Sequence, residues 1–401
     1  MACRICGAHT RSILDLGESP PANALLSTPE TEPRSFPLVL ELCDDCGNLQ
    51  LRDCLDAEDL YRDYLYVTPD SQLLRHHYEQ LHAHLAEGDY IRPDSFVLEV
   101  GSNVGMLLRF LQSRTRKVLG IDPAANICKL AQDAGIETMC DFFAPASAER
   151  IRAQHGAPDL IVARHCMAHN ADPHVMIAAA AALLDDTGHL VIENAYGLNT
   201  VENNELDQIY HEHMFYFTIR SMRALLAKHG MHLASVLMSP VHGGSVVFVA
   251  KKTRPTDVPD ASVALYAERE DRLMKGATYE RFAANVRELK EQLRALVGDL
   301  NAEHKSVWTY GATAKGNTLL NYVGFTRDDI EYCVDSTPLK QGKFLPKSGI
   351  RVVSEEHALE NPPDYFLLTA WNYKDEIIGK VRAAGNNRSR FIIPVPHVHI
   401  V

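Results

Sequence analysis

Two segments of this chain follow one plan: a buried strand, a glycine turn, a helix at apolar spacing, and a second strand that stops on an acid. The first runs Phe96-Val-Leu-Glu-Val100 into Gly101-Ser-Asn-Val-Gly105, then through Met106, Leu107, Leu108, Phe110 and Leu111. It closes on Val118-Leu-Gly-Ile-Asp122, with the acid 21 residues after Gly101. The second runs Ser306-Val-Trp-Thr-Tyr310 into Gly311-Ala-Thr-Ala-Lys315-Gly316-Asn317 and ends at Glu331-Tyr-Cys-Val-Asp335, with the acid 24 residues after Gly311. A strand that is apolar throughout needs cover on both faces, and a glycine turn into a helix supplies it, so this plan predicts a doubly wound α/β sheet. In such sheets ligands sit beyond the carboxyl ends of the strands, with the acid placed to bond ribose hydroxyls.

The two turns differ in charge. The first reads Glu99-x-Gly101-x-x-x-Gly105 rather than G-x-G-x-x-G, and puts an acid where a dinucleotide pyrophosphate would otherwise sit. That favours a cofactor without phosphates at the turn, S-adenosylmethionine (SAM), with Glu99, Gly101, Ser102, Asn103, Gly105 and Asp122 as candidate contacts. Strands at Asp159-Leu-Ile-Val-Ala163 and Gly188-His-Leu-Val-Ile-Glu193 follow in the order a methyltransferase domain has. Asp141 and Phe142 either hold adenine or merely start a helix. The second turn carries Lys315, and an ammonium beside backbone donors at a helix start suits a phosphate; a solvated surface lysine is the alternative.

The amino-terminal segment is too rich in proline (Pro20, Pro21, Pro29, Pro33, Pro37) to build a core alone. It holds two C-x-x-C pairs, Cys3/Cys6 and Cys43/Cys46, followed by Gly7 and Gly47. Two such knuckles complete a tetrahedral four-cysteine zinc site with no open position for water, hence a structural one. The other five of nine cysteines are scattered and expected to be buried thiols. No signal peptide or run of roughly 18 apolar residues is present, so neither secretion nor a membrane partner is expected, and the cytoplasm is the expected compartment. With 40 basic against 52 acidic residues the net charge is −12, which argues against a nucleic acid polymer but not against one bound nucleotide.

The densest proton-transfer chemistry lies in Asp207-Gln-Ile-Tyr210-His211-Glu212-His213-Met-Phe-Tyr216. The histidines are two apart, not four, so the zincin pattern is absent. In an extended strand His211 and His213 would face one way and Tyr210 and Glu212 the other, while a turn would break that alternation. His169 lies beyond the carboxyl end of a strand. Tyr64, Tyr66 and Ser71 stand in a Tyr-rich run, and His242 precedes Gly243-Gly244, where backbone can approach a ligand. Residues 254–304 read as helices bridging two domains, with their charges on a solvated face.

Together these residues resemble the sugar C-methyltransferase family that makes branched deoxysugars. Three tiers carry the likeness across the chain: the C-x-x-C pairs with Gly17-Glu-Ser-Pro-Pro-Ala-Asn23, the Glu99–Gly105 turn with Tyr210-His-Glu-His213, and Tyr310-Gly-Ala-Thr-Ala-Lys-Gly-Asn317 with Ala370-Trp-Asn372. The resemblance implies a zinc module (1–75), a central SAM-dependent methyltransferase domain (76–253) and a carboxyl-terminal Rossmann-like domain (254–401). Its implied substrate is a nucleoside-diphosphate 4-keto-deoxysugar, methylated at carbon 3. His213 would be the base, with Glu212 and Tyr210 as neighbours and Tyr66 and His169 elsewhere in the cleft; Tyr64, Ser71, Lys315, Asn317 and His242 would meet the substrate. The chain departs from the family at Glu193-Asn194-Ala195-Tyr196, where members carry a hydrophobic-acid-Pro-Tyr run. A methyltransferase of a non-sugar keto compound and a non-catalytic binding protein are the competing readings.

Overall fold

The computed structural model describes residues 1–55, 67–68, 71–252 and 260–401, with His242 described in backbone only. Three sheets organise them. The first has four strands in the order β1 (Thr10–Ser19), β2 (Phe36–Cys43), β3 (Leu49–Leu51) and β9 (Phe215–Tyr216). Its last strand comes from the Tyr210–Tyr216 region far along the chain, so the amino-terminal module is completed by the segment bearing the candidate base.

The second sheet contains β4 (Phe96–Val100), β5 (Lys117–Asp122), β6 (Thr138–Cys140), β7 (Leu160–Arg164), β8 (His189–Ala195), β10 (His232–Ser239) and β11 (Ser245–Lys251). Their order is β10-β11-β8-β7-β4-β5-β6, parallel except for the antiparallel β10–β11 and β11–β8 pairs. Both faces of β4 are buried. Phe96, Leu98 and Val100 face a core shared with the Ala-rich helix Pro173–Leu183 and with Ile5 of the zinc module. Val97 faces Leu74, Tyr78, Leu81 and Leu85 of the helix Gln72–Glu87. This two-sided cover is why the strand is apolar throughout.

The third sheet contains β12 (Val307–Tyr310), β13 (Tyr332–Val334), β14 (Arg351–Val353), β15 (Tyr365–Leu368), β16 (Arg390–Ile393) and β17 (His399–Ile400). Its order is β14-β13-β12-β15-β16-β17, parallel but for the last pair. In both parallel sheets the strand order reverses beside the strand that enters the glycine turn: between β4 and β7, and between β12 and β15. Those reversals open the crevices where doubly wound folds bind ligands.

The bridging helices are present, with one difference. Gly276–Ala302 buries Tyr279, Phe282, Val286, Leu289, Leu293, Val297 and Leu300, spaced three or four apart, between the leucines of β1 and β2 and the third sheet. The helix Ala261–Leu273 sits on the core of the second sheet instead, and its charges are not all solvated. Glu270 is fully buried; it accepts the Tyr196 hydroxyl at 2.8 Å and the backbone N–H groups of Ile219 and Arg220 at 2.6 and 3.1 Å, capping the helix Ile219–Ala227.

Candidate active site and zinc centre

The four knuckle cysteines converge. All four sulfurs lie within 4.8 Å of one another, with Cys3–Cys46 at 3.6 Å and Cys6–Cys43 at 3.5 Å. A tetrahedral zinc with bonds of about 2.3 Å separates its sulfurs by about 3.8 Å, so the cluster fits the ion. Gly7 and Gly47 take positive φ where each knuckle closes, and Asn48 Nδ2 points at Cys3 Sγ from 3.7 Å. None of the four lines the cavities described next. The zinc is structural. The module is joined to the helix Pro173–Leu183, whose His174 Nε2 donates to the Ile5 carbonyl at 3.0 Å.

Two cavities lie at the two strand-order reversals and meet. The first, about 1200 Å³, opens at the carboxyl ends of β4, β5 and β7, and the second, about 1780 Å³, opens toward β12 and β15. His165 and His169 line both.

Gly101, Ser102, Asn103, Asp122, Asp141 and Phe142 line the first cavity, so six of the candidate cofactor residues share one wall. Gly101 has φ +64°, and a Cβ there would sit 2.6 Å from Cys166 Cβ. The Asp122 carboxylate accepts the N–H of Asn103 and of Ala124, both at 3.0 Å, which fixes the turn against the end of β5. Phe142 is 54% exposed and Phe143 is buried, and both rings line the cavity, the second from within the core. Gly105 shapes the turn without lining the cavity. Glu99 does not reach the cavity either: it is buried behind it, and burial, opposed by Arg164, pushes its carboxyl up to about 7. Its partner Arg164 does line the cavity, donating Nε–H to Glu99 at 3.2 Å with its guanidinium over the Tyr78 ring at 4.8 Å. Of the scattered cysteines, Cys128 and Cys333 are buried as expected, but Cys166 lines this cavity and Cys140 is exposed.

The second cavity gathers Tyr210, Glu212, His213, Ser71 and Lys315. A turn, not a strand, presents them. The His213 N–H donates to the Tyr210 carbonyl at 2.8 Å, which folds the two rings together with centroids 4.0 Å apart. His211 turns away to pack edge-on against Phe36 at 6.0 Å, so the histidine that meets the cleft is His213. The Gln208 carbonyl, 3.1 Å from Nδ1, can only accept, so Nδ1 carries the proton. Nε2 therefore keeps its lone pair, and the Tyr210 hydroxyl donates to it at 2.7 Å. The His169 ring centre lies 5.2 Å from that of His213, and burial, reinforced by His165, lowers its pKa to about 4, leaving it a neutral imidazole. Burial pushes the Glu212 carboxyl up to about 7.

Lys315 enters at the start of the helix Ala314–Val323, 3.5 Å from Asp207 and with its ammonium 4.4 Å from the Trp371 ring centre. Asn317, one of the expected substrate contacts, is buried elsewhere: its Nδ2 donates to the Ala22 carbonyl at 2.6 Å, tying the carboxyl-terminal half to the amino-terminal module. Ser71 caps the helix Gln72–Glu87 as well as lining the cleft. Tyr64 and Tyr66 lie outside the described residues, and His242 stands in the turn Val241–Gly243 with only its backbone described. Ala195 lines the cleft at the departure from the family run, but Tyr196 is buried on Glu270.

Sequence reading missed Arg164, His165, Asn23 and Lys340, all of which line the cavities. His165 takes φ +50°, uncommon for a residue with a side chain, and sits 3.8 Å from the buried carboxylate of Glu193. No pattern in the sequence signals such a backbone angle.

The chain is 35% identical to C-methyltransferase NovU of Streptomyces niveus over 404 aligned positions, covering 100% of this chain and 96% of that one. The chain belongs to the SAM-dependent C-methyltransferase family. Three family profiles match this C-methyltransferase in series: "Putative zinc binding domain" over residues 3–61, "Methyltransferase domain" over 73–236 and "C-methyltransferase C-terminal domain" over 240–396. Similar solved structures include magnesium protoporphyrin IX methyltransferase from Synechocystis with bound SAH (20% identity, TM-score 0.35, 45% of this chain and 84% of that one). Another is the complex of the Haloferax volcanii Trm112 activator with a methyltransferase (15% identity, TM-score 0.34, 45% and 93%). SAM is the cofactor of this C-methyltransferase. The first cavity fits it, offering a carboxylate for ribose hydroxyls, an exposed aromatic ring and a turn open to close approach.

Proposed function

We propose that this C-methyltransferase adds a methyl group to the carbon alpha to a ketone, carbon 3, of a nucleoside-diphosphate 4-keto-deoxysugar. The observation that carries the reading is the meeting of the two cavities at His165 and His169, beside the His213–Tyr210 pair. In this reading residues 76–253 hold SAM, residues 254–401 hold the nucleotide, and residues 1–75 brace both.

A sugar carbon becomes a nucleophile only when the proton alpha to a ketone is removed. His213 has the tautomer a base needs: Nδ1–H stays on the Gln208 carbonyl while Nε2 takes the Tyr210 hydroxyl proton as the Tyr210 oxygen takes the proton from the sugar carbon, so the net proton ends on His213. The resulting imidazolium keeps its bond to Gln208. His169, neutral, donates toward the enolate oxygen, where a donor acts on charge developing in the transition state. Lys315 and Lys340 supply positive charge for the diphosphate. Asp122, Asp141, Phe142 and the 101–103 turn orient the adenosyl group. SAM supplies an electrophilic methyl on its sulfonium. With four cysteines clustered for zinc and the other five as thiols, the cysteine usage accords with a cytoplasmic setting.

The test is incubation with SAM and a panel of nucleoside-diphosphate 4-keto-deoxysugars, with the product read by NMR. A new carbon–methyl bond at carbon 3 is expected; methylation at oxygen, or of non-sugar keto acids alone, rejects the sugar reading. His213→Asn should lower turnover by about 10²–10⁴-fold, the usual worth of a general base, and leave SAM affinity unchanged.

A further inference from the structure

The strap Gly17–Leu26 of the amino-terminal module runs across the carboxyl-terminal half. Leu26 and Phe344 form an antiparallel bridge, with N–H to O distances of 2.8 and 2.9 Å. Lys347 Nζ donates to the Glu18 carbonyl at 2.6 Å, and Asn317 Nδ2 to the Ala22 carbonyl at 2.6 Å. Between these anchors one side chain of the strap reaches the second cavity. Asn23 lines the second cavity, and its Nδ2 donates to Glu212 Oε1 at 2.6 Å. Glu212 is 3% exposed.

We infer that Asn23 is a positioning residue of the C-methyltransferase: the zinc-bearing module reaches into the cleft through it to orient Glu212 and keep it a carboxylate. A neutral amide suits this role, because it donates to the ionised form without adding a charge to the cleft. Burial alone would make Glu212 take up a proton, and the hydrogen bond from Asn23 opposes that. The ionised carboxylate can then accept a hydrogen bond from a substrate hydroxyl beside the His213–Tyr210 pair. The inference rests on the reading of Glu212 as a cleft residue. It does not depend on the sugar assignment, because the measurement uses whichever ketone the wild-type enzyme methylates; a wrong assignment shows instead as no turnover of keto-sugars by the wild type.

The test compares the pH dependence of kcat for wild type, Asn23→Ala and Asn23→Asp, with SAM affinity and thermal midpoint as controls. A hydrogen bond to a charged group is worth about one pKa unit, so Asn23→Ala should move the acidic limb up by about one unit. From a value of about 7, that is about a fivefold loss at pH 7 and near parity at pH 9. Asn23→Asp sets a second carboxylate against the first and should move the limb further, while SAM affinity stays at the wild-type value. In a Glu212→Gln background, Asn23→Ala should no longer move the limb. An equal loss at every pH, an unmoved limb, a shift that persists in Glu212→Gln, or a parallel loss of SAM affinity would each overturn the inference.

Discussion

The two glycine-turn halves share one backbone device and surround it with different charges. In the first, Asp122 accepts the N–H groups of Asn103 and Ala124. In the second, Asp335 accepts those of Ala312 and Thr337, each at 2.8 Å. Each carboxylate thus clamps the glycine turn to the loop after its own strand. Each turn glycine also lies where a Cβ would collide: Gly101 with Cys166 at 2.6 Å, Gly311 with Ala370 at 2.8 Å. The side chains then diverge. The first crevice adds Asp141 and Phe142, a carboxylate and an aromatic ring; the second adds Lys315 and Lys340, two cations. Duplicated geometry fixes where a ligand lies, and the few side chains placed around it decide its charge.

The largest expected effect falls on both halves together. Stripping zinc with a chelator, or Cys43→Ser, should abolish methyl transfer and lower the thermal midpoint sharply, because metal binding and folding of such a module are one equilibrium. Retained activity in metal-free enzyme, verified by elemental analysis, would show that the clamp on both halves survives without the ion. The next largest effects should separate the halves. Asp122→Asn should weaken SAM binding by about 10- to 100-fold in calorimetry, the worth of hydrogen bonds to a charged group, and spare the nucleotide substrate. Asp335→Asn should do the reverse. If both variants lose the same ligand, the comparison fails. Lys315→Met sharpens it: KM for the nucleotide substrate should rise about tenfold with SAM affinity unchanged.

The smallest effect concerns stability. Glu212 has a folded-state value of about 7, above its ordinary 4.5. Between those values the folded chain keeps a proton that the unfolded chain releases, so stability falls as pH rises through that window. Glu212→Gln should therefore melt a few degrees above wild type at pH 8 and lose that advantage at pH 4.5, as calorimetry can show.

Much of this was legible in the sequence because it rests on periodicity and spacing. The apolar strand Phe96–Val100, the turn to Gly105 and Asp122 at its interval specify a crevice, and two C-x-x-C pairs specify a cluster. What stayed hidden depends on long-range contact. Glu99 looks like a cofactor ligand in the strand, but the parallel neighbour β7 brings Arg164 against it and turns it into a support. Asn317 follows the Lys315 turn, yet it is claimed by a carbonyl 295 positions earlier. The turn at Tyr210 overrode strand alternation, and only the fold shows that His211 is spent on packing while His213 keeps the cleft.

The strap between the first and last parts of the chain also sets the order in which the molecule can be completed during synthesis. Cys46 leaves the ribosome early, and zinc can be captured then, but the strand Phe215–Tyr216 that finishes the module's sheet is made much later. Asn317, which grips Ala22, comes 295 residues after it, roughly 15–60 s at ordinary elongation rates. Until then the strap has no surface to lie on and Asn23 no fixed place. A chain interrupted in its middle third lacks the helix Ala314–Val323, which carries both Asn317 and Lys315, so the cofactor crevice precedes the cleft beside it in the order of synthesis.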